Sequence, residues 1–352
     1  MNPPIIDFAP FYANDSTKED LIRQIQKACE QFGFFQLINH PIPTELQMAV
    51  LQHSSEFFNL PLETKEKYNQ CNTSPPLPSS SISKRKTSIT NLQSHRRLQP
   101  RIRAPPLTKL RKTHKRRPKR RLLSWEKTSP SAMNTSSNDA SARVQIITDA
   151  KGFRRIMDEY HDAMIELAVA IMKVLARTLG LDEDVFGDFC DHPVSILRLL
   201  HYPPQEVDTS GLERGIGAHT DFGAITMLLQ DDTGGLQVWN NLSSEWVDVT
   251  PVPGAYVVNL GNMMMRWTNN RYLSNLHRVI NTSGKERFSV PFFFSGNPNY
   301  TIRCLPGCED PKEGARYPPI TVHEWMVGRY ADTYGTGDGK GIGEMRQEPE
   351  DV

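Results

Sequence analysis

The spacing of hydrophobic and polar positions predicts helices in the first half of the chain and near its end. Apolar residues recur every three or four positions, the spacing of amphipathic helices, in Glu19–Gln31 and residues 152–180. Two further helices are predicted at Pro43–Phe58 and Thr321–Tyr334. Short apolar runs at residues 4–8 and 33–38 predict two strands. His161 and Asp162 lie on the long helix, where we expect both to be solvated.

The second half of the chain is dominated by segments typical of strands. Ala224–Leu229 and Leu236–Trp239 flank a turn at Asp231–Gly235, a pattern typical of a hairpin. Val290–Phe294 is a further apolar strand. We therefore predict a mainly β fold with flanking helices, in which antiparallel strands form a barrel or jelly roll able to hold a ligand.

Three potential metal ligands lie among these segments. His219 and Asp221 are two positions apart, so their side chains share a face if the segment is a strand, and His277 follows beside a second strand-like run. Two imidazoles and one carboxylate are the ligand set of non-haem Fe(II) oxygenases. A lone His-x-Asp pair is more often a surface feature, and a lone histidine is more often structural. The metal-site hypothesis depends on their combination and order.

A candidate carboxylate anchor follows the second histidine. Arg287 and Ser289 form another pair two positions apart, beside the strand at Val290–Phe294. A guanidinium binds a carboxylate through two parallel hydrogen bonds, and a serine hydroxyl adds a third. Arg-x-Ser alone is nearly always chance. Together with the metal ligands, it predicts a metal and a carboxylate co-substrate in one site.

Longer segments occur in an order that resembles a known family. These are Leu197–Pro204, His219–Gln230, Gly234–Val238, Val258–Gly261, His277–Val279 and Arg287–Ser289, with Pro4–Phe8 and Gly33–Pro41 near the N-terminus. They resemble the isopenicillin N synthase-like family, most members of which are 2-oxoglutarate- and Fe(II)-dependent dioxygenases. The resemblance implies a double-stranded β-helix (jelly-roll) core with a helical N-terminal region. The chain departs from the family at Asn262, where many members have Asp.

The resemblance also implies an activity. The three metal ligands would bind Fe(2+), and Arg287, Ser289 and Tyr202 would bind 2-oxoglutarate, with O2 as second co-substrate and ascorbate as a candidate reductant. Such an enzyme would hydroxylate, desaturate or cyclise a small metabolite of specialised metabolism. The alternatives are a 2-oxoglutarate-independent oxidase of the isopenicillin N synthase type, an inactive homologue and, more distantly, a nucleic-acid demethylase. Gln237, Met227 and Phe293 are candidate pocket residues, although core packing explains each equally well.

Charge is distributed unevenly along the chain. There are 41 Lys and Arg against 40 Asp and Glu, but sixteen of the basic residues lie between Lys84 and Arg121. Residues 71–147 lack sustained periodicity, which predicts disorder. A change of reading frame in the gene model, a genuine linker or a functional basic arm would each explain the composition, and its abrupt onset favours the first. Aromatic residues do not interleave these charges, so nucleic-acid binding is not expected.

These observations suggest four regions and a cellular setting. The regions are an N-terminal dioxygenase region (1–70), the basic insert (71–147), the jelly-roll core (148–335) and a polar tail (336–352). No apolar run is long enough to span a membrane, and the N-terminus lacks the features of a signal peptide. Five scattered Cys fit a reducing compartment. We therefore expect a cytoplasmic monomer that acts on a small molecule.

Overall fold

A computed structural model describes most of the chain. The described residues are 2–13, 16–66, 121–127, 152–204, 215–281 and 283–334, with the backbone alone described at 66, 121–127 and 331–334. Two compact units are present: residues 1–60 together with 119–352, and residues 61–118. The described part of the second unit is a short segment that contains one helix of five residues.

The predicted helices are confirmed to within two residues at each end. The helices are α1 (Thr17–Gln31), α2 (Thr44–Asn59), α3 (Leu62–Glu66), α4 (Phe153–Thr178), α5 (Gly187–Cys190), α6 (Asn262–Trp267) and α7 (Val322–Tyr334). Apolar stripes on α1 and α4 are buried, as their spacing predicts. None of the helices in the described ranges is long and apolar enough to cross a membrane.

The strands form two main sheets. They are β1 (Ile5–Asp7), β2 (Phe34–Ile38), β3 (Arg121–Lys127), β4 (Val194–Tyr202), β5 (Ile216–His219), β6 (Ile225–Gln230), β7 (Leu236–Asn240), β8 (Glu245–Asp248), β9 (Tyr256–Leu260), β10 (His277–Val279), β11 (Arg287–Gly296), β12 (Thr301–Ile302) and β13 (Ile320–Thr321). The large sheet has the order β1-β2-β9-β6-β11-β4-β3, and the small sheet has the order β5-β10-β7-β8. Pairing is antiparallel throughout except between β1 and β2.

One apolar cluster joins the two sheets. It contains Leu200, Tyr202 and Val257 from the large sheet and Leu236, Val238 and Val279 from the small one. Burial of these side chains between facing sheets is the main stabilising contribution to a β-sandwich or jelly roll. The predicted fold class, a jelly-roll core with flanking helices, is therefore confirmed.

The opposite face of the large sheet packs against α4. Phe292 of β11 is fully buried and meets the His161 ring at a centroid distance of 5.3 Å. His161 is fully buried, and its Nε2 lies 3.0 Å from Ser195 Oγ within hydrogen-bonding distance. The prediction that His161 is solvated was wrong, because its position on α4 faces the sheet, whereas Asp162 is exposed as expected.

The hairpin predicted around Asp231–Gly235 is absent. Strands β6 and β7, on either side of the turn, belong to different sheets. Gly234 and Gly235 both have positive φ, at +81° and +83°, which lets the backbone turn sharply from one sheet to the other. A short Gly-containing turn between two apolar strands therefore carries the chain across the jelly roll here.

Most of the predicted basic insert, residues 71–147, lies outside the described residues, as does the predicted tail. The described exception is β3, which pairs with β4 along its whole length, from Arg121 opposite His201 to Lys127 opposite Ser195. The expectation of disorder is therefore wrong for residues 121–127, because their backbone pairs with a strand of the large sheet. Seven residues of this stretch therefore take part in the large sheet.

We expect Gly296→Ala to destabilise the fold more than a glycine substitution in open space. Gly296 has φ +75°, and a Cβ there would overlap the Phe189 ring, which packs against Trp267 and Tyr300. The free energy of unfolding, measured with urea, should fall by about 2–4 kcal/mol.

The matched control is Gly180→Ala. Gly180 has nearly the same φ, +74°, and a Cβ at this position would meet nothing within 4 Å. It should cost about 1 kcal/mol, the backbone contribution alone. Equal losses in the two variants would contradict the packing argument.

Candidate metal centre and co-substrate site

Strand pairing brings the three predicted metal ligands together. His219 ends β5, His277 begins β10, and the two residues are direct cross-strand partners. The spacing of His219 and Asp221 predicted that both lie in one strand. Asp221 instead lies two residues beyond the end of β5 and is not part of a strand. Its Oδ1 is 3.7 Å from His219 Nε2 and 3.8 Å from His277 Nε2. The three candidate ligand atoms lie within 4.8 Å of one another, a spacing that suits a single ion.

Both imidazoles present the same nitrogen to this centre. Nδ1 of His219 is 2.9 Å from the Gly217 carbonyl oxygen, and Nδ1 of His277 is 3.2 Å from that of Asn275. Donation from Nδ1 to these carbonyls leaves the Nε2 lone pair directed toward Asp221, the arrangement that metal-binding histidines require. Burial lowers the pKa of His277 to about 4, so its imidazole is neutral at pH 7.

The Asp221 carboxylate is held by two neutral donors. Thr226 Oγ1 donates to Asp221 Oδ2 at 2.6 Å, and Asn259 Nδ2 donates to the same oxygen at 2.8 Å. Burial alone would raise the pKa of Asp221, but the two imidazoles and these two hydrogen bonds outweigh it and hold the pKa below its usual value. The carboxylate is thus ionised at neutral pH, and Oδ1 remains available as a ligand.

The backbone around Asp221 is held by the end of β9. The Asn262 N–H donates to the Asp221 carbonyl at 2.8 Å, and a Cβ at Gly261 would overlap the Gly223 carbonyl oxygen. The Asn262 side chain accepts a 2.6 Å hydrogen bond from the Ser274 hydroxyl. At the position where many family members have Asp, the uncharged Asn therefore still supports the turn that carries the carboxylate.

A second polar cluster lies at the other end of the same sheet face. Arg287 is fully buried, and its guanidinium donates to the Gly234 carbonyl at 2.6 Å, to Ser289 Oγ at 3.1 Å and to Gln230 Oε1 at 3.1 Å. The Tyr202 ring centroid lies 4.9 Å from the guanidinium carbon. These described partners are all neutral. A buried cation surrounded by neutral groups favours an anionic ligand, because burying an unpaired charge is costly.

Two buried polar atoms beside Arg287 fit such a ligand. Tyr202 Oη and Gln230 Nε2 have no hydrogen-bond partner among the described residues. Both are donors, and Tyr202 and Arg287 are cross-strand partners, as are Gln230 and Ser289. The predicted group of Arg287, Ser289 and Tyr202 is therefore brought together, with Gln230 added. This donor set is suited to one end of a dicarboxylate.

Several of these contributors were missed from the sequence. Asn259 and Gln230 contact predicted site residues through pairing of strands that are distant in the chain, whereas Thr226 contacts Asp221 from only five positions away. The one usable signal was that Thr226 and Gln230 share a face of β6.

Of the three candidate pocket residues, one faces the barrel interior. Phe293 pairs with Thr226 across β6 and β11 and so shares the metal-facing side. Met227 pairs with Phe292 and is fully buried on the helix side. Gln237 lies on the outer face of the small sheet, where it contacts Asp248 and Arg278. The suggestions for Met227 and Gln237 were therefore wrong, because both belong to the opposite faces of their strands.

Comparison with family models gives two matches. Residues 193–296 match the 2OG-Fe(II) oxygenase superfamily, and residues 3–103 match the model described as non-haem dioxygenase in morphine synthesis N-terminal. The first match contains the candidate ligands His219, Asp221 and His277 together with Arg287 and Ser289.

Individual proteins are similar over nearly the whole chain. The 2-oxoglutarate-Fe(II) type oxidoreductase hxnY of Emericella nidulans is 42% identical, covering 96% of this chain and 91% of its own length. The 2-oxoglutarate-dependent dioxygenase citB of Monascus ruber is 35% identical, covering 94% and 95%. A crystal structure of a full-length Neurospora crassa protein in complex with alpha-KG and thymine has a TM-score of 0.72 at 26% identity, covering 94% and 97%.

We expect Thr226→Val to weaken metal binding without unfolding the chain. The substitution keeps the side-chain shape but removes a donor to Asp221 Oδ2, so the carboxylate loses part of its orientation. Affinity for Co²⁺, followed by its visible absorption, should fall about 10-fold to 100-fold. Thr233→Val, which removes a surface hydroxyl bonded to the Glu286 carbonyl, is the control. Equal Co²⁺ affinity in the two variants would refute this role for Thr226.

Proposed function

We propose that His219, Asp221 and His277 hold the iron of this chain, which belongs to the 2OG-Fe(II) oxygenase superfamily. The chain is a 2-oxoglutarate- and Fe(II)-dependent dioxygenase that acts on a small molecule. The observation that carries the assignment is the convergence of two Nε2 atoms on one oxygen of a carboxylate whose other oxygen is already hydrogen-bonded. When bound, Fe(II) with 2-oxoglutarate and O2 supplies the power to oxidise a C–H bond, and 2-oxoglutarate is converted to succinate and carbon dioxide.

We further propose that Arg287, Ser289 and Tyr202 bind the carboxylate of 2-oxoglutarate that lies far from the metal. Arg287 supplies the charge, and the unpartnered Tyr202 hydroxyl supplies an additional hydrogen bond. Gln230 orients the guanidinium through Oε1 and has Nε2 left to donate to the ligand.

The distance between the two polar clusters supports this assignment. Thr226, beside Asp221, and Gln230, beside Arg287, are four residues apart on β6, a span of about 13 Å along a strand. Asp221 and Arg287 lie at the two ends of this span, and we propose that 2-oxoglutarate lies between them. Leu228, Leu200 and Val257 line the interval with apolar surface, which excludes water from the co-substrate chain.

The wider setting is part of the same proposal. Oxidation of a small metabolite in specialised metabolism is supported by citB, and the thymine in the Neurospora crassa structure is an example of a small heterocycle bound by a similar protein. We propose a monomer in the cytoplasm, with no role in nucleic-acid binding, in which residues 1–70 and 148–335 form the dioxygenase. For residues 71–147 a change of reading frame remains our hypothesis, which sequencing of the transcript tests.

We expect His219→Ala to abolish stoichiometric iron binding, because two of three ligands cannot hold the ion on one face. Anaerobic addition of Fe(II) and 2-oxoglutarate to the unaltered chain should give a visible charge-transfer band, which the variant should lack. His323→Ala, at an exposed position, should keep the band. Retained stoichiometric iron in His219→Ala would refute the ligand assignment.

We expect Arg287→Lys to raise the Kd for 2-oxoglutarate about 10-fold to 100-fold while iron affinity is unchanged. Lysine keeps the charge but loses the planar, two-pronged donor, and its ammonium cannot replace the three hydrogen bonds of the guanidinium. Titration of the charge-transfer band measures the Kd. Arg271→Lys, on the surface, is the control. If substrate oxidation by the unaltered chain released no succinate from 2-oxoglutarate, the co-substrate assignment itself would be wrong.

A further inference from the structure

The turn that carries Asp221 is held through four consecutive carbonyl groups. The carbonyls of residues 221, 223 and 224 accept hydrogen bonds of 2.8–3.1 Å from the backbone N–H groups of residues 261–263, at the end of β9 and the start of α6. The carbonyl between them, that of Phe222, accepts a hydrogen bond from the indole Nε1–H of Trp325 at 2.7 Å. One of the four links is therefore made by a side chain, and it comes from α7.

The Trp325 indole is fixed relative to α6. Trp325 is buried, and the guanidinium carbon of Arg266, a residue of α6, lies 5.0 Å from the centroid of its ring. The same guanidinium lies 4.7 Å from the Tyr317 ring and donates to the Pro318 carbonyl at 2.7 Å. A cation against the face of an aromatic ring attracts it. Arg266 therefore helps to set the plane of the indole, and with it the direction of the N–H group.

The first turn of α7, which contains Trp325, is also held in place. The Thr321 N–H and hydroxyl both donate to Glu324 Oε2, at 3.0 and 2.7 Å, and the Glu324 N–H donates to Thr321 Oγ1 at 3.2 Å. This reciprocal pair is a capping box, which stabilises the start of a helix. The Val322 N–H donates to the Tyr300 carbonyl at 2.9 Å and joins the helix to the rest of the fold. Trp325 thus projects from a well-anchored turn.

The position of the acceptor distinguishes this hydrogen bond from an ordinary one. A buried indole usually finds a partner, so the bond by itself assigns no role. Burial alone does not produce such a bond in this chain, because Trp267 is fully buried and its Nε1 has no partner among the described residues. The acceptor for Trp325 is the residue next to Asp221, in a turn outside the strand ladders.

We propose that Trp325 is a positioning residue of the metal centre. By holding the Phe222 carbonyl, it fixes the turn that directs the Asp221 carboxylate toward His219 and His277. Helix α7 is then part of the iron site although it supplies no ligand. The proposal rests on the proposed function for the identity of the ligands and adds a residue that acts on them through the backbone.

Two substitutions at the same position separate the hydrogen bond from the packing. Trp325→Phe keeps an apolar aromatic ring but loses the N–H, whereas Trp325→His loses most of the apolar surface but keeps a ring nitrogen, Nε2, where the indole has Nε1. The Kd for Co²⁺, titrated by visible absorption in the full-length chain, should rise about 3-fold to 10-fold in Trp325→Phe and less in Trp325→His. Stability in urea should fall in both and fall further in Trp325→His, because less apolar surface is buried.

A purely structural role predicts that metal affinity follows stability in these variants, whereas a positioning role predicts the opposite order. Unchanged Co²⁺ affinity in Trp325→Phe would overturn the proposal. So would an affinity in Trp325→His that is no higher than in Trp325→Phe.

Trp267→Phe is the matched control. It makes the same change at a buried indole whose N–H has no described partner, so it should lower stability and leave the Kd for Co²⁺ unchanged. If Trp267→Phe weakened Co²⁺ binding as much as Trp325→Phe, general loosening would explain both results and the assignment to Trp325 would be wrong.

A measurement on the unaltered chain needs no variant to fold. Coupling between two equilibria is reciprocal, so a hydrogen bond that favours metal binding must itself be strengthened by the metal. In chain labelled with ¹⁵N at its five tryptophans, Zn²⁺ should slow solvent exchange of the Trp325 indole hydrogen more than that of Trp267, which reports the general stabilisation by a bound ion. Equal slowing at the two indoles would contradict the proposal.

The unaltered chain and His219→Ala separate the two levels of inference. If the proposed ligands are wrong, Co²⁺ binds equally to both chains or to neither. If only the role of Trp325 is wrong, Co²⁺ binds to the unaltered chain, fails to bind to His219→Ala and binds undiminished to Trp325→Phe.

Discussion

The site depends on the fixation of one carboxylate oxygen. Asp221 lies outside any strand, yet its Oδ2 accepts hydrogen bonds from Thr226 on β6 and Asn259 on β9, two adjacent strands of the large sheet. The histidines come from the small sheet. The metal centre can therefore form only where both sheets pack in the right register, and the apolar cluster between them sets that register. Stability of the fold and competence of the site are thus coupled through a single side chain.

Polar chemistry within the jelly roll is separated into zones along the large sheet. At one end, the buried Arg287 guanidinium donates hydrogen bonds to neutral partners, and at the other end Thr226 and Asn259 hold the Asp221 carboxylate beside the two histidines. Apolar residues occupy the interval. Thr226 and Gln230 are four residues apart on β6, so the Asp221 carboxylate does not pair with the Arg287 guanidinium.

The sequence predicted the main helices and the chemical groups of the site better than it predicted which strands pair and which residues contact one another. Periodicity located the main helices, and residue type and spacing alone selected His219, Asp221 and His277, which the fold brings together. Thr226 and Asn259 could not be found in this way. Asn259 contacts Asp221 only through strand order, and Thr226, five residues from Asp221, contacts it because the chain bends just before β6. The turn at Asp231–Gly235 was misinterpreted for the same reason: local alternation does not reveal whether neighbouring strands pair or enter different sheets. His161 shows that helical spacing identified the buried face of α4 but not its full width, because a polar residue beside the apolar stripe is buried as well.

Strand β3, which lies in the basic insert (71–147), has a structural role that does not depend on the charge of that insert. It supplies the backbone partners of β4 from Ser195 to His201, on the edge of the strand that carries Tyr202. An unpaired edge of a long apolar strand is a template for association between chains. Loss of residues 121–127 would therefore expose β4 to pairing with another molecule, so that a lesion in this region would lead to aggregation even with every proposed iron ligand intact.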